Sequence, residues 1–178
     1  FEENAGRWDA LRAGYLGEEV RDAAVAHAYL RKEYVVADVG AGTGFIAAGL
    51  APLAAHVHAI DAAAPMLEVA RANLAAFDNV TYHVSDGRHL PLPDESVDAV
   101  FANMSLHQCP EPAAAIAEMV RILKPGGRVV ITDMDRHEHG WMRAGSSAAN
   151  SRSSACKAET WLSSGLRRRR IDRFSQAP

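Results

Sequence analysis

Three glycines and three aspartates carry most of the chemistry that this sequence offers. Gly40, Gly42 and Gly44 stand in the run Asp38-Val39-Gly40-Ala41-Gly42-Thr43-Gly44-Phe45. Alternate glycines let a backbone turn sharply and let a ligand lie against the main chain. The dinucleotide fingerprint requires a small residue where Phe45 stands, and the Lys-Ser/Thr ending of a Walker loop is missing, so a polyphosphate is not the expected ligand. Asp61 follows Gly40 by 21 residues, a separation at which an acid can accept hydrogen bonds from both hydroxyls of a ribose. Asp86 closes a further apolar run and can pair with an amino group such as that of adenine. Asp38, Asp61 and Asp86 on one rim suit a ligand that carries positive charge and donor groups. His107 is the candidate general base, because an imidazole titrates near neutral pH. Asp133, Asp135, His137, Glu138 and His139 form a donor set that a metal accepts. A solvated turn or a substrate loop is the preferred reading of that stretch, and no metal is expected. Cys109 is the one thiol near this region, which disfavours chemistry that needs several.

Such residues act together only if strand ends gather them. Residues 9–30 read as one or two Ala-rich helices. Tyr34–Val39, His56–Ile60, Val80–Val84, Val97–Ala102 and Arg128–Thr132 read as strands, several of them nearly continuous apolar runs that suit strands buried on both faces. Between them, Phe45–Ala55 reads as a small-residue helix. A second helix opens at Pro65 and places Met66, Val69, Ala70, Leu74 and Phe77 at helical spacing. Leu90–Glu95 is a proline-containing loop. Ile116, Met119, Val120 and Leu123 make the stripe of a third helix, which Lys124-Pro125-Gly126-Gly127 should stop. Strict alternation of strands and helices predicts an α/β fold, a doubly wound and mostly parallel sheet with helices on both faces. Ligands of such sheets bind at the carboxyl ends of the strands, which is where the aspartates and glycines fall.

Composition narrows the functional classes. The chain has 178 residues and a formal charge of −3, enough for one domain with its own core. No run of ~18 apolar residues free of charge predicts a membrane span, and the near-neutral charge gives no reason to expect nucleic acid as a partner. Two cysteines, Cys109 and Cys156, exclude a disulfide scaffold and a four-cysteine zinc site, and the reducing cytoplasm is the expected compartment. The chain begins at Phe1, so the natural start is expected to have been trimmed. Residues 1–150 hold 12 basic and 20 acidic side chains, whereas 151–178 hold 7 and 2. From about Ala144 the chain turns rich in Ser, Ala and Arg and ends near the run Arg167–Arg170, a segment expected to be poorly ordered or peripheral.

The residues quoted so far, with Ala59-Ile60-Asp61, Ser85-Asp86-Gly87, Leu90-Pro91-Leu92-Pro93-Asp94-Glu95-Ser96-Val97-Asp98, Asn103-Met104-Ser105-Leu106-His107 and Leu123-Lys124-Pro125-Gly126-Gly127, resemble the class I S-adenosylmethionine-dependent methyltransferases. The branch most resembled is that of ubiquinone and menaquinone biosynthesis. The resemblance covers residues 1–143, taken as the cofactor-binding domain, with 144–178 as an atypical tail. It implies a Rossmann-like methyltransferase fold that binds S-adenosyl-L-methionine, releases S-adenosyl-L-homocysteine, and methylates a small molecule by in-line displacement.

The resemblance also implies roles. Asp38, Gly40, Gly42 and Gly44 would pass close to the methionine part of the cofactor. Asp61 and Ala62 would lie at the ribose, Met66 near the adenine, and Asp86 with Gly87 at the adenine amino group. Asn103 and Met104 would face the sulfonium and the substrate. The segment with Arg7, Trp8 and Tyr15 resembles the family's lid over the cofactor. The complete family fold has seven strands, and the last two are expected to be lacking here. That would leave the fifth strand as an open edge through which two copies could pair as a homodimer. Two other readings stay open: a cofactor-binding protein without turnover, because of the altered C-terminus, and an oxidoreductase using a nicotinamide cofactor.

Overall fold

A computed structural model of the chain describes residue 9, residues 17–134, and the backbone of 156–162 and 169–170. Helix α1 (Glu18–His27) opens with Glu18 and Glu19, acidic charges placed to favour the helix dipole, and closes with His27. It precedes β1 (Val35–Val39), α2 (Phe45–Leu50), β2 (His56–Asp61), α3 (Ala64–Asn73), β3 (Val80–Val84) and β4 (Val97–Asn103). A 3-10 turn (Leu106–Gln108), α4 (Pro112–Arg121), β5 (Leu123–Met134), β6 (Cys156–Leu162) and the two-residue β7 (Arg169–Arg170) follow. The strand order is β3-β2-β1-β4-β5-β6-β7. Strands β1 to β5 are mutually parallel, while β6 pairs antiparallel with β5, and β7 with β6.

The order reverses between β1 and β4, and the carboxyl ends on either side of that switch are where an open α/β sheet takes its ligand. Both faces of the sheet are packed. On one, Val25, Ile46, Leu50, Leu74 and Phe101 form a core with α1 and α2. On the other, Val39, Val100, Met119 and Ile122 form a core with α4. At the amino ends of the strands, Asp98 accepts from the Val35 amide (2.9 Å) and from Lys124 Nζ (2.9 Å), which ties β1, β4 and β5 together. No helix among the described residues is long and apolar enough to cross a membrane.

Asp9 is helical and α1 spans Glu18–His27, both within the 9–30 range expected for helix. Two expectations change. Helix α4 stops at Arg121, so Leu123, expected on its stripe, opens β5 instead, and the Lys124–Gly127 run expected to stop the helix lies inside that strand, where the register shifts between Val97/Leu123 and Ala99/Arg128. Gly126, at φ 82°, allows that irregularity. The sheet also does not stop at the fifth strand, because β6 occupies the outer edge of β5 from Arg128 to Met134. Its sequence alternates Cys156, Ala158 and Thr160 with Lys157 and Glu159, too polar a run to signal a strand amid the surrounding Ser and Arg. The open β5 edge that motivated a homodimer is therefore paired within the chain. The proposed boundary at 143/144 and the residues Arg7, Trp8 and Tyr15 lie outside the described residues.

Candidate active site

The loop after β1 is built by three left-handed glycines: Gly40 (φ 77°), Gly42 (φ 53°) and Gly44 (φ 87°). Each has its own reason to lack a side chain. A Cβ on Gly40 would lie 2.3 Å from the Cβ of Ser105, just past β4, and one on Gly44 would lie 2.8 Å from Leu74 Cδ1. A Cβ on Gly42 would meet nothing closer than Met66 Cε at 3.6 Å. Gly40 and Gly44 thus serve packing, while Gly42 leaves its backbone open to an approaching group.

The loop is bound to the end of β2. The amides of Gly40 and Ala41 donate to the Ile60 carbonyl (2.8 and 3.0 Å), and the Gly42 amide donates to Asp61 Oδ2 (2.8 Å). Asp61 Oδ1 accepts from the Ala63 amide (2.8 Å). A carboxylate has about four acceptor sites, so both oxygens keep capacity for a ligand's hydroxyls. Exposed Ala62 lies on the same rim, and buried Met66 lies over Gly42.

Asp38 is fully buried. Its Oδ2 accepts from the Ala47 amide in α2 (3.0 Å), and its Oδ1 has no hydrogen-bond partner. Burial pushes its pKa up to about 7, against the Ala47 bond and with help from the nearby charge of Asp61. Two carboxylates close together, one with an orphaned oxygen, make this end of the sheet a place where a cation lowers the energy.

Asp86 stands apart from that cluster. Its carboxylate is exposed and is engaged by Arg88 through Nε (2.9 Å), Nη2 (2.6 Å) and the backbone amide (3.0 Å). Arg88 reaches Glu111 as well, at 3.4 Å. The guanidinium holds the Asp86 carboxyl below the usual range. Gly87 has a left-handed φ of 83°, and a Cβ there would meet Ala115 Cβ at 3.8 Å and Val39 Cγ1 at 4.0 Å, both in the core beneath α4.

The end of β4 forms the far wall. Asn103 Oδ1 accepts from Thr132 Oγ1 (2.5 Å), and the Met104 amide donates to the Thr132 carbonyl (2.7 Å). Met104 sits at φ 53°, a conformation that costs a residue with a side chain on the order of 1 kcal/mol and that tends to mark functional sites. Ser105 Oγ donates to the Val39 carbonyl (3.1 Å), joining this wall to the glycine loop. His107 follows in the 3-10 turn, with its Nδ1 2.7 Å from Asp133 Oδ1 and its amide donating to Asp133 Oδ2 (3.1 Å).

Three partners escaped the sequence reading. Ser105 was only one letter of a motif, yet it is what Gly40 packs against. Asp133 was grouped with the possible metal donors, whereas the structure sets it against His107. Its companions Asp135, His137, Glu138 and His139 lie outside the described residues. Asp9 accepts from Thr43 Oγ1 (2.6 Å) and Asn73 Nδ2 (3.0 Å), fastening the glycine loop to α3 and the N-terminal segment. Cys109 is held as a thiol by burial and by the charges of Asp133 and Asp86, which leaves it a poor nucleophile.

Comparison with known proteins agrees with this geometry. Residues 37–131 match the family described as a methyltransferase domain. A demethylmenaquinone methyltransferase of Clavibacter sepedonicus is 44% identical over 98 residues, 55% of this chain and 40% of that protein. A malonyl-[acyl-carrier protein] O-methyltransferase of Yersinia pestis is 39% identical over 101 residues, 57% of this chain and 37% of that protein. The chain thus spans about two fifths of the length of these curated relatives. A crystal structure of a SAM-dependent methyltransferase from Aquifex aeolicus superimposes with a TM-score of 0.67 and 26% identity, covering 79% of this chain and 76% of that one. The matched stretch runs from β1 into β5 and so contains the glycine loop, Asp61, Met66, the β4 wall and His107, and the chain belongs to the methyltransferase-domain family.

Proposed function

We propose that this chain binds S-adenosyl-L-methionine at the carboxyl ends of β1, β2 and β4 and transfers its methyl group to a small-molecule acceptor, releasing S-adenosyl-L-homocysteine. The observation that carries the reading is the pairing of the Gly42 amide with Asp61, beside a buried Asp38 that has an unsatisfied oxygen. A cofactor with a cationic sulfonium and an ammonium fits an acidic, polyphosphate-free cradle of this kind. When bound, it supplies an already activated methyl group, so the hard chemistry is the cofactor's own.

The chain's part is to bind and orient. Asp61 offers free lone pairs to the ribose hydroxyls, Met66 covers the adenine side, and Asp38 compensates positive charge. Asp86 is less suited to the adenine amino group while Arg88 engages it, and Gly87 supplies the close backbone there. Asn103 and Met104 shape the acceptor's side, and His107 is the base at the rim. Holding donor and acceptor in line is worth ~7–11 kcal/mol of barrier. The two cysteines suit the reducing cytoplasm as its compartment.

Calorimetric titration tests this reading. S-adenosylmethionine and S-adenosylhomocysteine should both bind, NAD should not, and Asp61→Ala should weaken binding by roughly 10- to 100-fold, the worth of lost hydrogen bonds to a charged group. Binding of NAD in preference to the sulfonium cofactor, or full affinity in Asp61→Ala, would overturn it.

A further inference from the structure

We propose that Asp133 is a positioning residue that fixes the tautomer of His107 and so leaves Nε2 unprotonated, able to take a proton from a methyl acceptor that displaces the Gln108 amide from it. The inference rests on methyl transfer at this rim. It adds both a residue and a substrate class, namely an acceptor that must lose a proton as it is methylated, such as a hydroxyl.

The carboxylate contact sets the tautomer, and the placement of Gln108 accords with it. A carboxylate only accepts, so the 2.7 Å contact between His107 Nδ1 and Asp133 Oδ1 requires the proton on Nδ1. At the other side of the ring, Gln108 Nε2 lies 3.2 Å from His107 Nε2. An amide NH2 only donates, so it finds a lone pair there. Asp133 grips the same residue a second time through its Oδ2 and the His107 amide (3.1 Å), which restricts the ring in both position and rotation. The gripped side is partly buried, whereas the Nε2 side lies at the exposed end of the ring. An imidazole held by a carboxylate at one nitrogen presents the other as a base, and the carboxylate then stabilises the imidazolium that forms.

Such a base has no use for an acceptor without a proton, such as a thioether. With a hydroxyl acceptor the step balances. The oxygen–carbon bond forms as the carbon–sulfur bond breaks, the electron pair of the broken bond stays on sulfur, and the hydroxyl proton goes to His107 Nε2 and then to water.

The test uses the full chain with 15N-labelled histidine. Two-bond proton–nitrogen spectra of the His107 ring should show a protonated Nδ1 and a bare Nε2. In Asp133→Ala the populations should shift toward the Nε2-protonated form, while the affinity for S-adenosylhomocysteine stays within about twofold. A wild-type ring protonated on Nε2, or a ring indifferent to Asp133→Ala, overturns the assignment whether or not the cofactor binds. Failure of S-adenosylhomocysteine to bind the wild type overturns instead the reading of the site on which this rests. For the acceptor class, 2-naphthol and its methyl thioether serve as probes with S-adenosylmethionine. Transfer to the naphthol is expected, lowered about 10²–10⁴-fold in His107→Gln, with a smaller loss and an altered pH profile in Asp133→Ala. Transfer to the thioether at an equal or higher rate, or to neither probe, overturns the acceptor class.

Discussion

Burial leaves one oxygen of Asp38 without a partner, and this single atom ties stability to binding. The carboxyl titrates at about 7 in the folded chain instead of 3.8. Between those values the folded state holds the extra proton, so the ligand-free protein loses stability as pH rises through the window and is least favoured above about 7. Asp38→Asn removes the charge and keeps an acceptor for the Ala47 amide. It should raise the stability of the ligand-free chain at pH 8 by about 1–3 kcal/mol, within the ~4 kcal/mol that a shift of this size represents, and should weaken S-adenosylmethionine. Urea unfolding at pH 8 and calorimetry check the two halves. Unchanged stability would mean that the orphaned oxygen is solvated, and stronger binding would remove Asp38 from the cofactor site. A second residue-scale prediction separates the glycines. Gly44→Ala should cost about 1–3 kcal/mol of stability, since its Cβ would press on Leu74 in a left-handed backbone. Gly42→Ala, whose Cβ would make only an ordinary contact with Met66 Cε at 3.6 Å, should cost less stability and more cofactor affinity. Thermal unfolding and titration of both variants compare the effects, and a reversed pattern would mean that the ligand lies elsewhere.

Strands β2 and β3 carry an element-scale device of the opposite sign. His56 and His58 share one face of β2, alternating with buried Val57 and Ala59. His58 Nδ1 meets His83 Nε2 of β3 at 3.0 Å, and His56 Nε2 meets Thr81 Oγ1 at 2.9 Å. Burial first, then His56 and His83, lowers the His58 pKa to about 4, and His83 is lowered for like reasons. A depressed histidine is neutral in the fold and protonated in the unfolded chain between about 6.5 and 4. Stability is therefore present above 6.5 and lost as pH falls through that window. With the ring only partly buried, screening leaves about 1–2 kcal/mol of this. Denaturation midpoints at pH 7.5 and 5 in an Asp38→Asn background isolate the effect, and adding His58→Gln should flatten it. An unaltered slope in that double variant would exclude His58. Element identity itself was legible in the sequence. The five parallel strands read as apolar runs, and the glycine loop with Asp61 reads from spacing alone. Side-chain company was not legible. Nothing in the spacing says that Asp86 turns to Arg88, that Asp133 finds His107 across 26 residues, or that Lys124–Gly127 joins a strand. Those outcomes depend on the directions of side chains at neighbouring strand ends and on a register shift that only pairing reveals.

At the scale of the whole molecule, the outer edge of the sheet is the feature that bears on self-association. Strand β6 saturates the outer backbone of β5 from Arg128 to Met134, so a chain ending at Met134 would present a row of unpaired amides and carbonyls. That shortened chain should self-associate at concentrations where the 178-residue chain does so less, as read by sedimentation velocity. Equal association by both would mean that β6 does not protect the edge. The tail from 144 onward, which composition alone marked as atypical, thereby gains a structural part in the strand that shields β5. The bonds from Gly40, Ala41 and Gly42 to the end of β2 carry a consequence in time rather than in space. A loop whose amides are spent on the neighbouring strand cannot fray by itself. Its amide hydrogens must exchange with solvent in the same opening events as those of β2, and a bound cofactor would slow the whole group together, so that the site and its scaffold keep a single clock.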